Sequence, residues 1–401
     1  MDRISPEQKT LLSLLGHRLF SAPFVPTPNV DWEQVAKEAR AQAVFSIAFD
    51  QYQQFSLDEE LSVKVKKTLM KYALSNTICY KNHTYLHDLM QGHNISYCAL
   101  KGAVSASYYP DPLLRSMGDV DFYVHPDDIE RALQVFRQEG FVCDLMDHPC
   151  HISMKNGSKH FEMHFKPVAY RPGPIGDMLE EHWSNIRETA ILHEGELATY
   201  YGPSTFHHGF ILLTHLQHHL FHEGVGLRHF CDWVLFANSL SNDDFVSIFA
   251  SKLKRIGLYR FARLLSLGAV KHMGMMHKEW MGDDYDTADE ILSDIIYGGN
   301  FGRKDKQRVQ EGLFICDRDT GDMKKGRLRQ ALSSLNHVVD SHWQMAKKLP
   351  ILYPVGWLYF STRYLIRVIF KKRKINLIDT YRKSGARRKK YRKIKPFEPE
   401  E

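Results

Sequence analysis

The chain has 401 residues, of which 43% are hydrophobic, 12% aromatic and 25% charged. This composition is ordinary for a globular protein with two or three structural units, and it excludes a broadly disordered chain. The net charge is +6, and the six cysteines include no C-x-x-C pair, which argues against a disulfide framework and favours a reducing, cytoplasmic setting.

Residues 1–94 predict an N-terminal helical region. The first segment, MDRISPEQKTLL, lacks the apolar run of a signal peptide. Within it, Ser5 precedes a proline at the first helical position and so marks a helix start. Asp31 can cap a second helix. A long amphipathic helix then follows, with capping-box spacing from Ser56 to Glu59.

Residues 95–175 have the pattern of a small mixed α/β unit. Short apolar runs predict four strands, at 95–100, 120–124, 141–145 and 160–165. Helices are expected between them, at 103–109 and 126–139. The fold class is therefore predicted to be α+β, with a small mixed sheet between helical flanks.

Residues 176–349 predict a C-terminal helical region, in which Ser204 can cap a helix rich in histidine. The next segment, 350–370, is apolar and aromatic but contains two helix breakers and two arginines, so we expect no transmembrane span. These interrupting residues are Pro354, Gly356, Arg363 and Arg367. An amphipathic helix peripheral to the membrane is one interpretation, and packing against the body is the favoured one.

The positive charge is concentrated in a basic tail, residues 371–401. The tail holds 13 Lys and Arg against 4 Asp and Glu, which leaves a net charge of −3 on the other 370 residues. Two interpretations remain open. Residues 371–395 bind an anionic partner such as RNA or a membrane surface, or the tail is solvated and aids solubility.

A D-x-D pattern lies at the strand expected over 120–124. Alternate side chains of a strand share a face, so Asp119 and Asp121 should point the same way while Val120 and Phe122 point into the core. Neighbouring carboxylates repel one another unless a cation lies between them, and hard oxygen ligands suit Mg²⁺. The pair alone is weak evidence, because such pairs are also common on exposed strands and turns.

Glu162 is the third candidate ligand. In the strand expected at 160–165, apolar side chains alternate with Glu162 and His164, which would project both onto the polar face. If this strand lies beside the first, Asp119, Asp121 and Glu162 converge on a site for two ions of Mg²⁺, with Mn²⁺ as an alternative.

The segment before the D-x-D pattern carries candidate phosphate-binding residues. Glycine at Gly102 would let the backbone approach a phosphate, and Lys101 could act as a point charge. Ala103 follows the glycine and offers its backbone but no hydroxyl, unless Ser105 substitutes. Arg115 could neutralise developing charge or hold the loop by pairing with an aspartate.

The order of these motifs resembles a known superfamily. LKG at 100–102, RSMGDVDFYV at 115–124 and FEMHF at 161–165 are similar to the DNA polymerase beta-like nucleotidyltransferases. More narrowly, they resemble an uncharacterised bacterial nucleotidyltransferase family, over roughly residues 30–365. Two departures from the superfamily pattern are Ala103, where Ser or Gly is usual, and a longer gap to the D-x-D pattern.

The resemblance implies transfer of a nucleoside monophosphate from an NTP to an acceptor, with release of pyrophosphate. Asp119 and Asp121 would bind both metal ions, and Glu162 would complete the site. The sequence does not distinguish ATP from CTP, GTP or UTP. It also leaves the acceptor open among a small molecule, a protein side chain and an RNA end.

The histidine-rich helix has three open interpretations. His215, His219 and His222 share a helix face, so they could bind zinc, line the substrate cleft or serve structural roles. The resemblance favours His215 and His219 facing the cleft near Arg228 and Asp232, although these two could also form a plain helix salt bridge.

A competing hypothesis is non-enzymatic. A catalytically degenerate transferase fold could act as a binding or scaffold module, including at a membrane surface, and Ala103 is the sequence feature that favours it.

Overall fold

A computed structural model describes residues 4–144, 150–166, 174–305, 307–312, 314–315, 323, 326–370 and 377–400. Parts of the predicted regions lie outside these residues, among them Leu145, at the end of a predicted strand, 167–173, in the predicted α/β unit, and 371–376 and 401, in the basic tail.

Four helices form the N-terminal part of the chain. They are α1 (Pro6–Phe20), α2 (Trp32–Ala41), α3 (Phe45–Phe49) and α4 (Glu59–Gly92). Ser5 caps α1 and Asp31 caps α2, as the sequence predicts, by accepting hydrogen bonds from the first amides of each helix. The cap of α4 is Asp58 rather than Ser56, because the Asp58 carboxylate accepts a hydrogen bond from the amide of Leu61.

Five strands and two short helices follow. They are β1 (Tyr97–Ala99), α5 (Ala103–Ala106), β2 (Val120–Val124), α6 (Ile129–Gln138), β3 (Val142–Asp144), β4 (His151–Asn156) and β5 (Lys159–His164). The strands form one mixed sheet in the order β1-β2-β5-β4-β3, in which β2 and β5 are parallel and the other neighbours antiparallel. The strand β4 is absent from the sequence predictions.

The sheet has one apolar and one polar face. In β2, Val120, Phe122 and Val124 are buried while Asp121 and Tyr123 are partly exposed, the alternation expected of a strand with one face on the core. The buried side chains pack with α4 and α6 in a hydrophobic cluster beneath the sheet. The polar face is left to carry functional groups.

A hairpin and twelve helices complete the described chain. They are α7 (Pro174–Trp183), β6 (Ile191–Glu194), β7 (Thr199–Gly202), α8 (Thr205–Phe221), α9 (Leu227–Ser239), α10 (Asn242–Phe245), α11 (Ser251–Ile256), α12 (Tyr259–Met273), α13 (Tyr285–Gly298), α14 (Arg308–Gly312), α15 (Arg327–His342), α16 (Gln344–Lys348), α17 (Tyr353–Phe370) and α18 (Leu377–Arg392). Side chains of α1, α2 and α3 share one large hydrophobic core with α8, α9, α12 and α13. The predicted α+β class, with helical regions flanking a mixed sheet, is confirmed.

The apolar segment over 350–370 forms α17, which packs against α15. The Trp357 indole donates a hydrogen bond to Asn336 at 2.8 Å, and the Tyr353 hydroxyl donates one to Asp340 at 2.7 Å. Leu358 on the same helix is nevertheless 72% exposed. In the described ranges, no helix combines the length and apolar character that a membrane crossing requires.

The described part of the basic tail forms α18 and packs against the body. Tyr391 is fully buried, and Arg387 and Arg388 are nearly so. Arg387 donates to the Glu311 carboxylate at 2.9 Å and to the Leu220 carbonyl oxygen at 3.0 Å. The charge of Arg387 is therefore compensated inside the protein, as buried charges generally must be.

Candidate active site

A cavity of about 610 Å³ lies between the polar face of the five-stranded sheet and helices α8 and α9. Asp119, Asp121 and Glu162 line it from the sheet side, and His215 and Arg228 line it from the helix side. Its volume falls in the range of small-molecule sites, roughly 300–1,000 Å³.

The parallel pairing of β2 with β5 sets Asp121 directly opposite Glu162. His164, two residues further along β5, completes a group of three with Asp121 and Glu162. Its Nε2 lies 3.0 Å from an Asp121 oxygen and 3.8 Å from a Glu162 oxygen. Ligand-type atoms of these three residues lie within 4.8 Å of one another, a spacing that one ion could bridge.

Asp121 is held in its charged form by its neighbours. Burial alone would raise the pKa of Asp121, but Lys101, 3.3 Å away, and the hydrogen bond from His164 hold that pKa below its usual range. Burial disfavours the imidazolium of His164, yet hydrogen bonds with Asp121, Cys150 and Glu162 raise the pKa of His164 above its ordinary value. A strong charge pair therefore lies at the floor of the cavity.

Asp119 lies just before β2, at the mouth of the same cavity, with 49% of its side chain exposed. Its Oδ1 is 3.6 Å from His160 Nδ1. Burial, followed by repulsion from Glu162 and Asp121, raises the pKa of Asp119. Asp119 is therefore not part of the group formed by Asp121, Glu162 and His164, but its charge interacts with both carboxylates of that group.

The turn after β1 adopts a backbone that only glycine tolerates well. Gly102 has a φ of +70°, and an added Cβ would lie 2.9 Å from His83 Nε2. The amide of Ala103 donates to that same Nε2 at 3.3 Å, and Ser105 is hydrogen-bonded to His208 at 3.2 Å. Lys101 and Gly102 therefore line the cavity, whereas the Ala103 amide and the Ser105 hydroxyl are committed elsewhere.

Arg115 pairs with an aspartate from α9. Its Nε and Nη2 donate to the two oxygens of Asp232, each at 2.7 Å, and Tyr109 donates a third hydrogen bond to Asp232. Burial alone would raise the pKa of Asp232, but Arg115 holds that pKa below its usual range. The pair joins the segment before β2 to the helix across the cavity, and Arg228 binds that same segment through the Ser116 carbonyl oxygen at 3.2 Å.

The helix side of the cavity is a wall of imidazole rings. His215 and His219 rings lie 4.3 Å apart, and His215 and His229 rings 5.4 Å apart. Burial, reinforced by nearby cations, lowers the pKa of His215 and of His229 well below the ordinary value, so both are neutral. His219 lies 3.1 Å from a Glu223 oxygen. The expected zinc alternative finds no support in the part of the chain that the structure describes, since its two candidate metal-binding groups include no residue of α8.

Some residues at the site are absent from the sequence predictions. His151 enters the cavity from β4, and Cys150 enters it from the position before β4. His83 supports the Gly102 turn from behind, and His229 lies beside His215. His151 Nε2 lies 3.7 Å from a Glu162 oxygen.

The fold and the cavity together define a class of protein. A mixed sheet with paired carboxylates on parallel strands, beside a glycine turn and a lysine, agrees with the nucleotidyltransferase pattern that the sequence predicts. Residues 28–274 match the model of a family described as uncharacterised nucleotidyltransferase. The match covers more than half of the chain, so the protein belongs to that family, and the predicted enzyme class is confirmed. Comparison with curated proteins and with solved structures returned no match.

Proposed function

We propose that this nucleotidyltransferase is metal-dependent and moves a nucleoside monophosphate from an NTP to a hydroxyl or phosphate acceptor, with release of pyrophosphate. The observation that supports this most directly is the Asp121–Glu162 pair, which lies in register on parallel strands and opens into the cavity. The acidic group at its mouth, Asp119, adds a third carboxylate.

The donor set fits a hard divalent ion, Mg²⁺ or alternatively Mn²⁺. Asp119, Asp121 and Glu162 offer oxygen ligands. Burial and then repulsion from Glu162 and Asp121 raise the pKa of Asp119, and a cation would relieve that repulsion. When bound there, such ions supply Lewis acidity toward the phosphate oxygens and the acceptor oxygen.

The residues around the carboxylates can hold the triphosphate. Lys101 presents its charge beside Asp121, and Gly102 lines the cavity next to it. In the reaction, the acceptor oxygen forms a bond to the α-phosphorus while the bond from that phosphorus to the bridging oxygen breaks. The electron pair of the broken bond leaves with pyrophosphate, and the acceptor proton passes to Glu162 or to solvent.

The neutral histidines suit the acceptor side of the cavity. His215 and His229 can donate or accept hydrogen bonds without adding charge, while Arg228 next to them carries a positive charge. An acceptor with hydroxyl groups and an anionic group would find partners for both on this wall.

Pyrophosphate release tests the proposal. We expect the full chain to release pyrophosphate when it is given Mg²⁺ or Mn²⁺, each of the four NTPs and a panel of acceptors. Asp121→Asn should lower the rate by about 100-fold or more, the cost of removing one group that stabilises developing charge. Asp127→Asn is the matched control, because the Asp127 side chain follows the same strand but is 88% exposed.

Nucleotide binding gives a readout that needs no acceptor. Calorimetry with Mn²⁺ and each NTP should show weaker binding for Asp121→Asn than for Asp127→Asn. If the two variants bind alike and no acceptor yields pyrophosphate, the scaffold hypothesis replaces this one.

A further inference from the structure

We propose that the chain has a second metal site, for one thiophilic divalent ion of the zinc class, formed by Cys150, His151 and His164. The ligand atoms of these three residues lie within 4.8 Å of one another. The site lies on the β4–β5 side of the cavity, next to the carboxylate pair that we propose binds the hard metal ions.

Backbone pairing fixes the three ligands relative to one another. His151 lies opposite His164 in the antiparallel register of β4 and β5. The carbonyl oxygen of Cys150 accepts hydrogen bonds from the amides of Phe165 at 3.0 Å and Lys166 at 3.4 Å. His151 and His164 therefore lie on paired strands, and Cys150 directly precedes one of them and is tied to the end of the other by these hydrogen bonds. Regular elements hold a coordination geometry better than a loop does.

The spacing is close to that of a tetrahedral zinc site. Zinc–sulfur and zinc–nitrogen bonds of about 2.3 and 2.0–2.1 Å at tetrahedral angles set the two ligand atoms ~3.6 Å apart. Cys150 Sγ and His151 Nδ1 are 3.9 Å apart, and the ring centres of His151 and His164 are 4.9 Å apart. A shift of a few tenths of an ångström would bring the sulfur and the nitrogen to bonding distance of a common ion.

The donor types favour zinc over magnesium. A thiolate and two imidazoles are soft or borderline ligands, which bind Zn²⁺ and Co²⁺ well and Mg²⁺ poorly. Cys150 and His164 are only 3% and 5% exposed, and a buried thiolate is costly without a cation beside it. A water can take the fourth position of a tetrahedral site.

His164 links this site to the carboxylate pair. Its Nε2 faces Asp121 at 3.0 Å, and an ion that takes this nitrogen as a ligand replaces the hydrogen bond. The zinc-class ion would thus supply positive charge beside Asp121 in place of the imidazole proton. Metal binding at the second site therefore changes which positive charge lies beside Asp121, in the proposed site for the hard metal ions.

Cobalt titration tests the proposal without nucleotide. The full chain is stripped with a chelator and titrated with Co²⁺, whose thiolate complexes show a charge-transfer band in the near ultraviolet. We expect one equivalent to bind with that band and to be displaced by Zn²⁺. Cys150→Ser should lose the band and bind roughly 100-fold more weakly, since losing even an outer partner of a metal ligand costs 10–100-fold.

Two further variants make the result decisive. Cys143→Ser, on β3 of the same sheet, should keep the band and the affinity of the unmodified chain. His151→Asn should weaken binding while keeping a thiolate, so it covers the case in which Cys150→Ser fails to fold. Cobalt bound without the band, or with the band intact in Cys150→Ser, would overturn the site, as would no binding.

The experiment is independent of the proposed transfer reaction. Asp119→Asn should weaken Mn²⁺–NTP binding and leave the cobalt band unchanged. If the chain shows the cobalt band but releases no pyrophosphate, the second metal site stands and the proposed function fails. If it releases pyrophosphate but shows no band, the proposed function stands and the second site fails.

Discussion

His83 shows how burial fixes the chemistry of a single residue behind the site. It is fully buried beneath the Gly102 turn, and its Nε2 accepts the hydrogen bond of the Ala103 amide. Burial lowers the pKa of His83 to about 4, so at neutral pH this nitrogen carries no proton and can act as an acceptor. Protonation would place two donors face to face and disrupt the turn.

The folded protein should lose stability as the pH falls, and His83 should account for part of the loss. The unfolded chain takes up its proton near pH 6.5, whereas the folded chain does so only near pH 4. Stability from the neutral ring is therefore present above pH 6.5 and is lost between these values. His83→Gln should remove about 2 kcal/mol of the difference in unfolding free energy between pH 7 and pH 5.

Chemical denaturation at the two pH values measures this difference. His93→Gln, at the exposed end of the same helix, is the control and should retain the difference seen in the unmodified chain. If all three proteins lose the same unfolding free energy between pH 7 and pH 5, the pKa of His83 does not differ between the folded and unfolded states.

Residues on regular strands are the part of the site that the sequence can predict. The period-2 alternation in β2 and β5 is enough to assign Asp121, Glu162 and His164 to one face of the sheet. The partner of Arg115 cannot be predicted in the same way. Asp232 is 117 residues away along the chain, and only the packing of α9 over the sheet brings the two together.

Among the secondary structure elements, β4 was missed although a local signal was present. Asn156-Gly157 is a strong hairpin signal, and the strands on either side of it pair in register. β4 itself alternates, with Ile152 and Met154 buried, but it holds only these two apolar side chains and was not predicted. As a result Cys150 and His151 were absent from the predicted site. The parallel pairing of β2 with β5 is non-local, and no local pattern specifies its register.

The turn between β1 and α5 should be sensitive to a single added methyl group. Gly102→Ala forces a side chain into a positive φ and against the imidazole of His83 at 2.9 Å. We expect the free energy of unfolding to fall by roughly 1–3 kcal/mol, the usual cost of such a strained residue. Urea denaturation measures it.

A glycine without these constraints provides the comparison for Gly102. Gly92 closes α4 without a positive φ, and an added Cβ there would meet nothing within 4 Å. Gly92→Ala should be neutral or slightly stabilising, because alanine is the better helix former. Equal effects at the two positions would mean that the turn relaxes around the methyl group.

Across the whole molecule, a buried charge network ties the C-terminal helix to the body. Asp294 on α13 pairs with Arg308 on α14 and lies 2.5 Å from the Tyr391 hydroxyl on α18. The tail composition predicts positive charge but not its partners, which lie on distant helices. Arg387 and Tyr391 show that part of the basic tail belongs to the folded core.

Removing the central carboxylate of this network should destabilise the whole fold. Asp294→Asn leaves Arg308 buried without its charge partner, so we expect a loss of roughly 3–5 kcal/mol in the free energy of unfolding. Asp289→Asn is the matched control. Asp289 lies on the same helix and also has two partners, Lys271 and His272, but it is about one-third exposed, and its loss should cost ~1 kcal/mol or less.

The response to salt distinguishes the exposed ion pairs of Asp289 from the buried ion pair of Asp294. At 1 M salt the screening length is only about 3 Å, which weakens exposed pairs much more than buried ones. The effect of Asp289→Asn should therefore shrink on going from low salt to 1 M, whereas that of Asp294→Asn, at a site only 3% exposed, should persist. If both effects are small and both fade in salt, α18 is not anchored as the structure places it. The arginines of the basic tail would then be free to meet an anionic partner.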